Sequence, residues 1–222
     1  VADFNEAICA KVVRGLPRGS APGVFGFRYE HMKMLLPADG DGDAFPMFRF
    51  LLDLCAGNLL QGTIRGLEIS KLVGFEKEGG GVRPVAISTA WRRCGGKVLC
   101  DLYKEQWAKS LGSTQFAVGL PTGNEKLLKL AQVILESNDP DDPDPICLLQ
   151  IDAKNAFNSC SRRSFLRLLH QEYPELEPYV RQWYGRPTPL IFGSHTIWSR
   201  QGTQQGDPFG MFLFCLGLRP VL

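Results

Sequence analysis

The sequence predicts an α+β fold in which helices pack on antiparallel strands. Apolar residues recur every three or four positions in residues 2–15 and 46–61, a spacing typical of amphipathic helices. In residues 67–76 and 82–88 they alternate instead, which predicts the two strands of a hairpin. The helical and strand patterns do not follow one another in a βαβ rhythm, and this irregular order favours α+β over a doubly wound parallel sheet.

Apolar spacing and helix-ending residues such as proline predict the other elements. A short helix is predicted over residues 27–36, where Pro37 stops it, and a long helix over 91–111 in spite of Gly95-Gly96. Further helices are predicted over residues 124–137, 161–173 with Ser161 as N-cap, 175–184, and from about Pro208 onward. Residues 146–152 are apolar on both faces and predict a buried central strand, and residues 189–198 predict a second hairpin about Gly193-Ser194.

The overall charge is close to neutral, so any nucleic-acid surface has to come from local clusters. The chain of 222 residues has 44% hydrophobic and 22% charged residues, as globular proteins do, and a net charge of +2. Basic residues cluster at three places: Arg14 with Arg18, Arg92 with Arg93, and Arg162 with Arg163 and Arg167. Each cluster is typical of a solvated helix face, and becomes a phosphate track if the arginines converge on one groove.

The cysteines and the hydropathy pattern exclude several classes of protein. The seven cysteines contain no C-x-x-C pair, so we expect neither a disulfide framework nor zinc, but a reducing, intracellular compartment, nucleus or cytoplasm. No apolar run is long enough to cross a membrane and no signal peptide is visible, so no membrane partner is expected. Asp39, Asp41 and Asp43 alternate as in a calcium loop, but Ala44 and Phe50 replace the Gly and Glu that such a loop needs.

A carboxylate stands at the end of the predicted central strand. Asp152 follows an apolar stretch, and Phe157 comes five positions later. Burying an ionised carboxylate is costly unless something binds it, so Asp152 is either a metal ligand in need of partners or an ordinary cap or turn residue. Phe157 by itself is equally typical of core packing. Taken alone, these residues leave both alternatives open.

Two glycine-rich turns are predicted next to side chains that suit a nucleotide. Residues 79–81 form the tip of the first hairpin, flanked by Lys77 and Arg83, whose point charge and planar guanidinium both suit phosphates. An exposed hairpin also carries such charges for solubility. In the second turn Gln205 precedes Gly206, and glycine lets the backbone approach a ligand closely, although an amide-rich loop is the plain alternative.

In this order, four segments resemble sequence blocks of reverse transcriptases, most of all those of non-LTR retrotransposons. The segments are residues 21–34, 72–88, 148–157 and 192–208. The chain departs from the family pattern at three places. Phe25 stands where the family has Asp, Asn158 stands where Asp is common, and residues 209–211 replace the more usual residues after Asp-Pro.

The resemblance implies a right-hand polymerase with RNA-directed DNA polymerase activity. Residues 1–145 are expected to form the fingers, with the fingers hairpin at about 67–88, and residues 146–222 part of the palm. The implied reaction is magnesium-dependent nucleotidyl transfer, with an RNA template, a DNA primer and a dNTP as partners. Asp152 is the implied catalytic carboxylate, and it is expected to hold Mg²⁺ together with the carbonyl oxygen of Ala153.

The resemblance also assigns five nucleotide-binding residues. Lys77 and Arg83 are expected to hold the triphosphate. The ring of Phe157 is expected under the sugar, where it excludes a 2′-hydroxyl and admits deoxyribose. Gln205 and Gly206 are expected to line the nucleotide and template side.

The family needs a second carboxylate pair, in an aromatic-x-Asp-Asp turn expected after the last helix. The 222 residues end before such a turn, so the chain is expected to be a fragment of a longer polypeptide with further domains, and inactive by itself. Two alternatives stay open: a non-catalytic or domesticated RNA-binding remnant, and a domain like that of group II intron maturases.

Overall fold

The fold combines helices with one four-stranded sheet. The computed structural model describes residues 5–36, 45–112, 115–139, 141 and 143–221. Within these ranges there are ten α-helices and four strands, so the predicted α+β class is confirmed. The finer description as fingers and palm, with a boundary at residue 145, stays a prediction.

The two halves of the chain each contribute one hairpin and several helices. The first half contains α1 (Glu6–Gly15), α2 (Tyr29–Met34), α3 (Phe45–Ala56), α4 (Gln61–Leu67), β1 (Ser70–Glu76), β2 (Val82–Ile87) and α5 (Ala90–Leu111). The second half contains α6 (Gly123–Glu136), α7 (Ala156–Ser159), α8 (Arg162–Glu172), α9 (Glu177–Tyr184), β3 (Thr188–Phe192), β4 (His195–Ser199) and α10 (Gly210–Leu218), followed by a 3₁₀ turn (Arg219–Val221).

The sheet is mixed, whereas the sequence predicted antiparallel strands. Its order is β2-β1-β3-β4, with antiparallel pairing inside each hairpin and parallel pairing between β1 and β3. Ser70 lies opposite Leu190, and Lys71 opposite Ile191. Parallel pairing needs a long connection, and the helices between β1 and β3 provide one. The prediction was wrong here because each hairpin is a local feature, while the contact between the hairpins is not.

Short-range hydrogen bonds explain where several helices begin. The side chain of Asn5 accepts from the main-chain amide of Ala7 at 3.0 Å and so caps α1. Ser161 caps α8 as predicted, because its hydroxyl accepts from the amide of Ser164 at 3.2 Å. Such caps satisfy amides that have no partner inside the helix.

The long helix α5 runs through the core. It packs against α1, α3 and α10, and the ring of Trp107 stacks on Phe212 with 3.9 Å between the ring centroids. A Cβ atom on Gly96 would lie 3.1 Å from the hydroxyl of Tyr179, which donates to the carbonyl of Arg92 at 2.8 Å. The glycine therefore makes room for a buried tyrosine, which offsets its low helix propensity.

Residues 146–152 do not form the predicted central strand. They are irregular, and Leu149 and Ile151 are each 80% exposed. Their composition suits a strand, but a strand also needs a neighbour to accept and donate its main-chain hydrogen bonds. No described segment pairs with them, so the prediction is wrong for this structure.

All seven cysteines are free thiols, and Cys9, Cys55 and Cys94 are buried. Within the described ranges, no helix is both long enough and apolar enough to span a bilayer. The loop with Asp39, Asp41 and Asp43 lies outside the described residues.

Candidate functional site

One cleft brings together segments that are far apart in the sequence. A cavity of about 730 Å³ lies between the β1–β2 hairpin, the turn before α7 and the turn before α10. The site residues proposed from the sequence all line it: Lys77, Arg83, Asp152, Ala153, Phe157, Gln205 and Gly206. The structure therefore brings them together, while their roles toward a nucleotide stay predictions.

The hairpin supplies two cationic side chains. Arg83 lies on β2 opposite Phe75, and Lys77 follows the last residue of β1. The amide of Lys77 donates to the carbonyl of Gly81 at 3.1 Å and closes the glycine tip. Both cationic side chains are exposed, and neither has an acidic partner in the described part of the chain. Cations of this kind remain available for an anion.

The second wall contains the exposed carboxylate and an aromatic ring. Asp152 lies in the irregular segment before α7, and its side chain is exposed. Asn155 has a φ of 54°, a left-handed conformation that Asn tolerates, and turns the chain into α7. The half-buried ring of Phe157 packs on Phe214 of α10, with 5.0 Å between the centroids. The ring thus serves core packing and lines the cavity at the same time.

The glycine turn before α10 connects the other two walls. Its Thr203 amide donates to the carbonyl of Phe157 at 2.7 Å, and its Gln205 carbonyl accepts from the amide of Ala86 on β2 at 2.8 Å. Gly206 has a φ of 102°, and a Cβ atom there would lie 2.7 Å from the carbonyl oxygen of Ala86. Glycine is therefore required at this position by the approach of β2, whatever else the cleft binds.

A buried polar network that the sequence analysis missed supports this turn. Arg92 of α5 is 0% exposed and forms an ion pair with Asp207, with 2.6 Å between Nη2 and Oδ2. The hydroxyl of Tyr184 donates to the same carboxylate oxygen at 2.6 Å. The side-chain oxygen of Gln204 accepts from Nη1 of Arg92 and from the hydroxyl of Ser70, each at 3.1 Å. Gln204 and Gln205 both line the cavity, but the side chain of Gln204 is buried and bound within this network.

The electrostatics of this network follow from its burial. Burial is the largest single influence and disfavours the charge on Arg92, but the Asp207 carboxylate and the hydroxyls of Tyr184 and Tyr179 together outweigh it and raise the pKa of Arg92. Burial, assisted by the charge of Asp207, raises the pKa of the Tyr184 hydroxyl. Tyr184 therefore stays a hydrogen-bond donor. The prediction of Arg92 and Arg93 as a surface pair is wrong for Arg92, whose acidic partner lies 115 positions along the chain.

The cavity contains part of the ligand set that Mg²⁺ prefers. Asp152 is exposed in it, and the carbonyl of Ala153 is adjacent, which are two of the oxygen ligands that Mg²⁺ accepts. Asp207 also lines the cavity, but Arg92 and Tyr184 bind its Oδ2 and the amide of Phe209 donates to its Oδ1. In the described ranges no three acidic, histidine or cysteine side chains converge. Asp152 and the carbonyl of Ala153 can supply part of the coordination shell of one Mg²⁺ ion, and they do not suffice for two ions.

Comparison with known proteins relates the chain to a retroelement. No family model matches the sequence. Over 98% of its length, the chain is 23% identical to the retrotransposable element SLACS 132 kDa protein of Trypanosoma brucei gambiense, and it spans 18% of the length of that protein. At this identity the match indicates a distant relation to a retrotransposon protein and does not by itself establish an activity.

Proposed function

We propose that this chain is the nucleotide-binding part of an RNA-directed DNA polymerase encoded by a retroelement. The observation that carries the proposal is the single cavity in which three separate segments place two free cations, an exposed carboxylate, an aromatic ring and a glycine turn. The distant relation to a retrotransposable element protein supports it. The partners would be a dNTP and an RNA template paired with a DNA primer.

In this proposal Lys77 and Arg83 hold the triphosphate. Both project from the hairpin that forms one wall of the cleft, and neither is neutralised by a described acidic side chain. A guanidinium binds phosphate oxygens through two parallel N–H groups, while an ammonium acts as a compact point charge. Together they would orient the α-phosphate toward the wall that carries Asp152.

Phe157 and the glycine turn would bind the sugar and the base. The contact with Phe214 restrains the Phe157 ring, so the ring can act as a wall that leaves no room for a 2′-hydroxyl. The hydrogen bond from Ala86 fixes the backbone of Gln205 and therefore the position from which its side-chain amide can reach a nucleotide edge. Gly206 offers a surface without a side chain.

Asp152 and the carbonyl of Ala153 would contribute to Mg²⁺ binding. When bound, the metal would stabilise the charge on the attacking and leaving oxygens of the transfer reaction. Among the described residues the cavity has one free carboxylate, which does not hold two ions, so the remaining ligands would have to come from elsewhere in the polypeptide. The chain alone is therefore expected to bind a nucleotide without extending a primer.

Binding of a fluorescent dNTP in the presence of Mg²⁺ tests the proposal on the 222-residue chain. The double variant Lys77→Gln/Arg83→Gln should bind at least about a hundredfold more weakly, because hydrogen bonds to a charged partner contribute about 1.5–3 kcal/mol each and the variant loses both. Arg14→Gln/Lys109→Gln is the matched control, since both residues are exposed and lie outside the cavity. Equal dNTP affinity in the two double variants would contradict the proposal.

A non-catalytic nucleic-acid-binding domain is the second candidate. The observation that favours it is the single free carboxylate of the cavity, together with the lack of a three-residue metal cluster in the described ranges. This candidate predicts RNA binding by the chain with no magnesium-dependent binding of dNTP. The same titrations therefore separate the two functions.

A further inference from the structure

A second cleft, on the α8–α9 side of the molecule, is lined mainly by arginine. Its volume is about 510 Å³, and it shares no lining residue with the cavity described above. None of the described residues that line it is acidic. Its arginines are Arg162, Arg163, Arg167, Arg181, Arg186 and Arg200. The chain as a whole has a net charge of +2, so this concentration of positive charge is local.

Acidic neighbours neutralise two of these six arginines. Glu177 forms an ion pair with Arg181 and a hydrogen bond with His170, and Glu68 forms an ion pair with Arg186 at 2.8 Å. The other four arginines have no acidic partner in the part of the chain that the structure describes. The cleft therefore retains about four positive charges, which suits a polyanion better than a single small anion.

Arg162 places an uncompensated charge beneath this cleft. It is 9% exposed and donates to the carbonyls of Gly202 and Arg186, at 2.9 and 3.2 Å, and to the hydroxyl of Ser199 at 2.7 Å. Its guanidinium lies 5.2 Å from the ring centroid of Tyr184. All of these partners are neutral acceptors, so they fix the side chain without cancelling its charge.

Three further arginines are exposed around the opening. Arg163 and Arg167 lie four positions apart on one face of α8, about 6 Å along the helix axis, and Arg200 follows β4. Like charges at this helix spacing repel each other. An anion bound between them would remove that repulsion. Among the described lining residues Tyr184 is buried and there is no phenylalanine or tryptophan, and the one exposed ring is the imidazole of His170, which is hydrogen-bonded to Glu177.

We propose that this arginine cleft binds the phosphate backbone of a nucleic-acid strand, independently of base sequence and at a place separate from the nucleotide cavity. Planar guanidinium groups match phosphate oxygens in a bidentate geometry. The cleft has no exposed phenylalanine, tyrosine or tryptophan ring among its described residues, so the contact is made mainly to the backbone. The inference goes beyond the proposed polymerase activity and does not depend on it, because it needs no metal, nucleotide or catalytic residue.

The test uses the 222-residue chain and fluorescence anisotropy with labelled 20-nucleotide strands, one RNA and one DNA of the same mixed sequence. The variant Arg163→Gln/Arg167→Gln/Arg200→Gln removes the three exposed arginines and leaves the buried Arg162 in place. The charge-matched control replaces three exposed lysines outside both clefts: Lys109→Gln/Lys126→Gln/Lys129→Gln. Each titration is repeated over a range of salt concentrations.

The triple arginine variant should bind both strands about tenfold more weakly at low salt, and the control should bind like the unsubstituted chain. The slope of log affinity against log salt should become shallower by about 2, since each phosphate contact on a single strand contributes about 0.7. An effect confined to RNA would still support the inference and would add a contact to the ribose hydroxyl.

The inference is overturned if the triple arginine variant binds like the unsubstituted chain, or if the lysine control loses as much affinity. In the first case an acidic protein segment becomes the partner class to consider. Neither result bears on the dNTP titration of the Lys77/Arg83 variant, so failure of this inference and failure of the proposed function can be told apart.

Discussion

Arg92 and Asp207 determine the position of the turn that lines the candidate nucleotide site. The ion pair joins α5 to the turn, and Gln204 adds hydrogen bonds to Arg92 and Ser70. Gln205, the next residue, makes none of these buried contacts, but the network determines where its backbone lies. A buried ion pair and its hydrogen bonds therefore determine the geometry of Gln205, which is not part of that network.

Asp207→Ala should destabilise the fold by about 3–5 kcal/mol, because it leaves Arg92 charged, buried and without its acidic partner. The free energy of unfolding in urea measures this loss. Asp53→Ala is the matched control, since Asp53 pairs with the exposed Arg49 one helical turn away, and such pairs contribute less than about 1 kcal/mol. A loss at Asp207 no larger than at Asp53 would show that the pair does not stabilise the turn.

At the same scale, the sequence predicted the residues that face the cleft better than those that support them. Lys77, Arg83 and Asp152 stand in short recognisable segments, and the structure brings them to one cavity. Arg92 and Asp207 are 115 positions apart, so no local pattern reveals that they form a pair. Arg92 resembled an ordinary surface residue because its neighbour Arg93 is also basic.

Among the elements, local signals were sufficient for helices and hairpins. Ser161 caps α8, and the hairpins β1–β2 and β3–β4 form where alternating residues flank glycine turns. The parallel contact between β1 and β3 could not be predicted, because it depends on how distant segments pack. Residues 146–152 have the composition of a strand, but composition does not show whether a pairing partner is present.

Leu149→Lys/Ile151→Lys should change the free energy of unfolding of the 222-residue chain by no more than about 0.5 kcal/mol. Both side chains are 80% exposed, so their replacement removes little buried apolar surface. Leu169→Ala is the control, because Leu169 is 0% exposed and its truncation should cost about 2–5 kcal/mol. A loss of about 2 kcal/mol or more in the double lysine variant would mean that residues 146–152 are buried after all.

At the scale of the whole molecule, one sheet contains strands from both sides of residue 145, where the sequence predicted a domain boundary. Strand β1 precedes residue 145, β3 follows it, and the two pair directly. This arrangement brings the hairpin cations to the same cavity as the Asp152 segment and the glycine turn. The arginine cleft has none of these lining residues, so the molecule has two separate surfaces suited to phosphate.

The assignment of the nucleotide cavity is tested by primer extension on an RNA template, with a longer polypeptide that includes these 222 residues. We expect extension to depend on magnesium and to be about a thousandfold slower in the Asp152→Asn variant, since weakening metal binding removes several kcal/mol of charge stabilisation. Primer extension by Asp152→Asn at the unsubstituted rate would contradict the assignment of this cavity as the polymerase site.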